Sequence, residues 1–243
     1  MNEPLRALAI VIPVHNEEEH LPACLAHLAA AMDRFTQCAP QVELHAVLVL
    51  DRCTDLSGQL ARDRVRADAR FHALPGNFGS VGASRAAGVQ RALELSGASP
   101  AATWVACSDA DSRVPVNWLT VLLLAAARGA DAVLGTVQPD EKELEPHRYR
   151  QWRQHYRPEP GHGHVHGANL AFNAAHYLRA GGFEPVTAHE DVGLVRRLRA
   201  GGARLQATAQ IPVLTSGRLT GRLQGGFADY LAGLESRALL LGR

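Results

Sequence analysis

Two carboxylates one residue apart, Asp109 and Asp111, stand directly after the apolar run Thr103–Cys107. At a strand end such a pair can hold a hard cation, directly or through water. Mg²⁺ or Mn²⁺ bound by so few protein oxygens keeps positions open for substrate phosphates. The same spacing also suits a solvated turn. Asp51 follows a second apolar run and can accept a hydrogen bond from a nucleobase imide or a ribose hydroxyl. Asp55 serves either as a ligand or, like Ser57, as the cap of the next helix. Ser84-Arg85 opens a helix whose amino end favours anions, so Arg85 can pair with a phosphate or make a surface ion pair. His189-Glu190-Asp191 precedes the apolar positions Val192, Leu194, Val195 and Leu198. Its acids suit a helix amino end, or a general base held near an acceptor hydroxyl. His162, His164 and His166 alternate, which on an extended strand gives one face, as in a zinc site. No fourth ligand has supporting spacing, and loop histidines that touch a substrate, or nothing, are the simpler reading.

Composition excludes several chemistries. The 243 residues carry 25 basic and 24 acidic side chains, a formal charge of +1, so no net field draws nucleic acid or a membrane surface. All the basic residues but one are arginine, and the exception, Lys142, lies in the acidic run Glu141-Lys142-Glu143-Leu144-Glu145. It fits neither a Walker phosphate loop nor a Schiff base. The glycines before Ser84 do not form Gly-x-Gly-x-x-Gly, and no Gly-x-Ser-x-Gly elbow exists. Cys24, Cys38, Cys53 and Cys107 form no Cys-x-x-Cys pair. With no secretory leader pattern, reduced thiols in a soluble, cytoplasmic protein are expected. The longest strongly apolar run, Leu119 to Ala127, is about half of the ~20 residues that a membrane span needs.

The elements that must position these residues alternate in type. Continuous apolar runs at Ala7–Val14, Val42–Leu50 and Thr103–Cys107 read as buried parallel strands, with a shorter one at Phe71–Leu74. Between them lie a helix with Pro22 in its first turn and apolar positions Leu21, Leu25, Leu28, Met32 and Phe35, a polar helix Ser57–Arg66, and a helix Ser84–Leu95. This alternation predicts an α/β fold, a mostly parallel central sheet with helices on both faces. Ligands then sit outside the strand carboxyl ends, where Asn16-Glu17, Asp51–Asp55 and Asp109–Asp111 all fall. After Gly135 the pattern changes. The expected organisation is a first half over residues 1–135, a second half of the same domain over 136–216, and a terminal loop and helix over 217–243.

Taken in order, Val11-Ile12-Pro13-Val14-His15-Asn16-Glu17-Glu18, Asp51 to Asp55, Asn77 to Arg85, Asp109-Ala110-Asp111, Gly167-Ala168-Asn169, Gly181-Gly182-Phe183 and Glu190-Asp191 resemble family 2 glycosyltransferases of the GT-A fold. The resemblance spans roughly Ala9 to Arg199, and its strength lies in the ordered set. It implies an inverting glycosyltransferase, a hexosyltransferase for preference, that moves a sugar from a nucleotide diphosphate to an acceptor hydroxyl with Mn²⁺ or Mg²⁺. By position, Pro13, Asn16 or Glu17 and Asp51 resemble the base and ribose pocket, with Arg85 near the base or diphosphate. Asp109 resembles the ribose- and metal-side carboxylate and Asp111 the direct metal ligand. Asp191 resembles the catalytic base and Glu190 its helper. His166, Gly167, Asn169 and Trp152 fall on the acceptor side, so the resemblance implies a nucleotide-sugar-binding half over 1–135 and an acceptor-binding and catalytic-base half over 136–216. Arg52-Cys53-Thr54 departs from the usual Asp-Gly-Ser after the first aspartate, so UDP is a preference only. The family has no fixed third metal ligand, and His164, His166, His189 and Ser216 are candidates.

Two segments carry open alternatives. If Glu145–Pro158 is helical, Tyr149, Trp152 and Tyr156 form a stripe at i, i+3, i+7. The segment is then a flap packing that stripe on the domain, or Arg148, Arg150, Arg153 and Arg157 recognise an anionic acceptor. Thr215-Ser216-Gly217-Arg218 and Gly221-Arg222 make a lid over the diphosphate or a solvated linker. The acceptor is a small molecule or lipid-linked. Rival functions are a sugar-nucleotide nucleotidyltransferase, whose usual glycine-rich loop is replaced here by Pro13-Val14-His15-Asn16, and a non-catalytic nucleotide-sugar-binding module.

Overall fold

The computed structural model describes residues 3–159, 161–221 and 226–234. Its first part runs β1 (Ala7–Val14), α1 (Leu21–Cys38), β2 (Glu43–Asp51), α2 (Ser57–Ala67), β3 (Phe71–Gly76), α3 (Val81–Leu95) and β4 (Thr103–Cys107). There follow β5 (Ser112–Arg113), α4 (Trp118–Ala127), β6 (Ala132–Leu134), β7 (Val137–Pro139), α5 (Pro146–His155) and β8 (Leu170–Asn173). The chain continues through α6 (Ala174–Arg179), α7 (Glu190–Ala200), β9 (Leu205–Ala207), β10 (Val213–Thr215) and α8 (Phe227–Ala232).

The main sheet has the order β3-β2-β1-β4-β8-β6-β9. All neighbours are parallel except β8, which runs antiparallel to both β4 and β6. β1 is apolar without alternation because both of its faces are covered. Leu8, Ile10 and Ile12 pack with Leu25, Leu28, Met32 and Phe35 of α1 and with Trp118 and Leu119 of α4. Ala9 and Val11 face the other way, onto Val89 and Ala92 of α3 and Leu194 and Leu198 of α7. Each large aliphatic side chain so buried contributes roughly 1.5–3 kcal/mol. Gly88 lets α3 lie directly on the sheet, since a Cβ there would run into Val11 and Val49.

A second sheet, β5-β10-β7, is made of strands two or three residues long. It joins the segment after Asp111 to the segment before Arg218. Beside it, α5 lays Tyr149 and Trp152 against Tyr156, Leu144, Leu231 and Leu234. The Tyr149–Trp152 and Trp152–Tyr156 ring centroids are 5.6 and 5.0 Å apart. This is the packing flap, and it corrects the assignment of Trp152 to the acceptor side: its indole is buried in the flap's own small core. Arg148 donates to the Leu231 and Ala232 carbonyls at the end of α8, at 3.4 and 3.1 Å. Arg150, Arg153 and Arg157 are exposed, and none of the four lines the cleft described below. The four cysteines are free thiols. Among the described residues no helix is long and apolar enough to cross a membrane.

Candidate active site

A cleft of about 990 Å³ opens at the carboxyl ends of β1, β2 and β4 and is closed on its far side by the start of α7 and by α8. Three of its rim loops turn through a non-glycine residue with positive φ: Asn16 (52°), Arg52 (50°) and His189 (62°). Such backbone conformations persist only where surrounding contacts over-determine them. At Asn16 the contact is its own amide oxygen, which accepts from Thr54 N at 2.8 Å. Asn16 thus ties the β1 loop to the β2 loop and does not line the cleft, while its neighbours Pro13 and Glu17 do.

Asp51 lines the cleft with its carboxylate already engaged, accepting from Phe78 N at 2.8 Å and Gly79 N at 3.3 Å. It braces the glycine loop that leads into α3. His15 Nδ1 donates to the Asp51 carbonyl at 2.6 Å, a contact no sequence pattern announced. Asp55 is a turn residue: its carboxylate accepts from Ser57 N and Glu18 N, both at 3.0 Å.

Arg85 is buried, which removes the surface ion-pair reading. Its guanidinium donates to Asp109 Oδ1 at 2.5 Å and to Glu190 Oε1, tying the β4 loop to the start of α7. Burial works against the Arg85 charge, but Asp109 and Glu190 outweigh it and hold the guanidinium protonated. Burial pushes the Glu190 carboxyl up, against the pull of Arg85. A Cβ at position 167 would strike the Arg85 guanidinium, so glycine is what allows Gly167 to pass over the ion pair.

Asp111 is more enclosed than its neighbour Asp109, its side chain 13% exposed against 36%. Its Oδ1 accepts from Ser112 Oγ at 3.2 Å and Thr215 Oγ1 at 3.4 Å, both supplied by the small second sheet. Burial and the neighbouring Asp109 carboxylate push its pKa up to about 6, with Arg218 pulling the other way. Arg218 lies against this group, 2.7 Å from Asp111 Oδ2 and in a two-pronged pair with Glu17. Arg222, the other expected lid residue, lies outside the described residues.

At the far wall, Asp191 Oδ2 accepts from Gly167 N at 2.6 Å and its Oδ1 from Val192 N at 2.7 Å, which fixes the carboxylate at the cleft edge. His166 lines the same wall, its Nε2 3.0 Å from Tyr156 Oη. His162 packs tilted on His164, His164 stacks with His166, and Tyr156 stacks on His164 with centroids 4.3 Å apart. Among the described residues, no group of three His, Cys, Asp or Glu converges to hold a metal. The alternating histidines therefore build a wall of rings, and the structure singles out no third ligand beside Asp109 and Asp111.

Asn169 is corrected to a structural role. Its amide oxygen accepts from Trp118 Nε1 at 2.9 Å, and its nitrogen donates to the Thr136 and Ile211 carbonyls at 2.8 and 2.7 Å. All three partners are interior, so the side chain has none left for an acceptor. Asn169→Ala strands them and is expected to cost about 2–4 kcal/mol in urea denaturation. A loss below about 0.5 kcal/mol would contradict this role.

The model of glycosyl transferase family 2 matches residues 9–179. The chain belongs to that family. Its fold is GT-A: S. aureus TarS superposes with a TM-score of 0.65 at 14% identity, covering 96% of this chain and 42% of that one. GalNAc-T7, solved with UDP, GalNAc and Mn²⁺, gives 0.64 at 16% identity, covering 92% and 45%. The mannosyltransferase PcManGT from Pyrobaculum calidifontis, solved with GDP-Man and Mn²⁺, gives 0.60 at 15%, covering 96% and 64%. In sequence the chain is 31% identical over 146 residues to the undecaprenyl-phosphate 4-deoxy-4-formamido-L-arabinose transferase of Yersinia pestis (strain Pestoides F), covering 59% of this chain. The protein of the same name from Aeromonas hydrophila subsp. hydrophila is 28% identical over 142 residues, 58% of this chain. The chain spans about 40% of the length of these curated relatives.

This family 2 domain carries a donor set that fits a divalent cation. Two carboxylates crowd one another at a strand end, and Asp109 stays 36% exposed towards the cleft. That suits an ion that keeps waters or phosphate oxygens on its other positions. The histidine wall has its own signature. Burial first, then His164 and His162, push the His166 pKa down to about 4 from an ordinary value near 6.5. Between those pH values the unfolded chain binds the extra proton, so stability is highest above the upper value and falls as the pH drops through the window. His166→Gln should shrink the difference between urea midpoints measured at pH 7 and pH 4.5. An unchanged difference would contradict the shift.

Proposed function

We propose that this domain transfers a sugar from a nucleotide diphosphate, UDP in preference, to an acceptor hydroxyl with inversion at C1. One observation carries the reading. Asp109 and Asp111 at the end of β4, Asp51 at the end of β2 and Asp191 at the start of α7 line one cleft, although 140 positions of sequence separate the first of them from the last. Residues 1–135 supply the donor side and 136–216 the acceptor side. Pro13, Glu17 and Asp51 flank the base and ribose. Asp111 and Asp109 would hold a divalent ion, Mn²⁺ or Mg²⁺, which would supply charge neutralisation for the departing diphosphate.

Asp191 takes the acceptor proton while the acceptor oxygen attacks C1 and the C1–O bond to the diphosphate breaks behind it. The hydrogen bonds from Gly167 N and Val192 N aim the base. Arg85 holds Glu190 and Asp109 in fixed relation, so donor-side and base-side acids share one frame. Among acceptors, a lipid-linked one has the support of the relatives' printed names, undecaprenyl-phosphate transferases.

Incubation with UDP-sugars, Mn²⁺ and candidate acceptors should release nucleoside diphosphate in step with glycosylated acceptor. Pyrophosphate release from a nucleoside triphosphate would instead point to nucleotidyl transfer. Donor binding without turnover on any acceptor would favour a binding module.

A further inference from the structure

Arg218 lies on an oxygen that a metal on Asp111 would use. Its Nη1 and Nη2 donate to Glu17 Oε2 and Oε1 at 3.1 and 2.9 Å, and Nη2 lies 2.7 Å from Asp111 Oδ2. Asp111 Oδ1 already accepts from Ser112 and Thr215, so Oδ2 is the lone-pair position facing the cleft. A metal ligated by that oxygen would stand beside the guanidinium, and the two cations would repel one another across a single carboxylate. The guanidinium therefore occupies the cation position of the site.

The residues before Arg218 are held by a separate anchor. Glu143 Oε2 accepts from Ser216 Oγ at 2.6 Å and Gly217 N at 3.1 Å. His20 stands between the two acids of this arrangement, 3.3 Å from Glu143 and 3.5 Å from Glu17. Arg218 is thus a tethered charge whose position depends on a glutamate that makes no contact with Asp111.

We propose that Arg218 is an internal stand-in for the divalent cation: it pairs with Asp111 and Glu17 where the metal would be ligated and must be displaced before a metal can bind. The displaced guanidinium then has the donor's diphosphate as its replacement partner, one anionic fork exchanged for another. Metal alone binds weakly on this account, and metal with nucleotide binds well because the nucleotide supplies the new partner. The inference rests on the transferase reading, which places the metal on Asp111.

The probe is Mn²⁺ alone, titrated without nucleotide by calorimetry or by loss of its free-ion EPR signal, at fixed ionic strength. Arg218→Ala should bind Mn²⁺ about tenfold more tightly than the parent, the size of an ordinary coupling between sites. Glu143→Ala decides between displacement and a general field effect. Removing that negative charge would weaken cation binding if only the summed field mattered. If the anchor holds Arg218 in place, its loss should tighten Mn²⁺ binding several-fold. Affinities equal to the parent's in both variants, or weaker binding in Glu143→Ala, would overturn the proposal. A parallel titration of UDP with Mn²⁺ separates the two levels. Binding there with unmoved Mn²⁺ affinities defeats the displacement alone, whereas binding in neither titration defeats it together with the transferase reading. Thermal melts of both variants check that they fold.

Discussion

Asp191→Asn is expected to lower kcat by about 10²–10⁴-fold while leaving the donor Kd within about twofold of the parent. The substitution keeps the shape of the side chain and an oxygen that can accept from Gly167 N or Val192 N, so the start of α7 should stay in place. What it removes is the capacity to take a proton. The loss should therefore fall on the chemical step, and single-turnover rates should drop as far as steady-state ones. An acceptor KM that rises with kcat intact would make Asp191 a positioning residue. Activity within about tenfold of the parent would remove it from the proton path.

Asp111→Ala is expected to weaken metal-dependent nucleotide binding by at least about 100-fold, because the enclosed carboxylate is the direct ligand on this account. The same variant should fold without metal at least as stably as the parent. It removes one of two crowded carboxylates and leaves Glu17 to satisfy Arg218. Loss of binding together with a collapsed melting curve would point to a structural role. Loss of binding with the fold intact is the predicted outcome, read by calorimetry alongside a thermal melt.

The first half of the chain was legible where burial forces a pattern. β1 and β4 match their apolar runs at both ends, Ala7–Val14 and Thr103–Cys107, because a strand covered on both faces has no polar position to blur its limits. α1 was legible from Leu21 to Phe35 because one face of a long helix must be apolar. The strands β5, β7 and β10 were not legible. Two or three residues carry no period, and their pairing joins β10 to segments 76 and about 100 residues away. The acids that end the strands could be found, but not their partners. Arg85 and Glu190 are separated by 105 positions and Arg218 and Glu17 by 201, and charge alone does not say which arginine meets which acid. Asn169 misled for a related reason. Its motif placed it beside the cleft, whereas Trp118 and two carbonyls drew its amide into the interior. Trp152 was read correctly as part of a helical stripe, but the surface receiving that stripe includes α8, which no local pattern in α5 reveals.

Whether the donor site needs a metal on the strand-end aspartates is tested most directly by calorimetric titration of UDP, GDP and dTDP in Mn²⁺ and again in chelator. One nucleotide, UDP first, should bind with Mn²⁺, and chelator should abolish the binding. Binding that chelator leaves unchanged, or no binding of any of the three under either condition, would contradict a metal-dependent donor site.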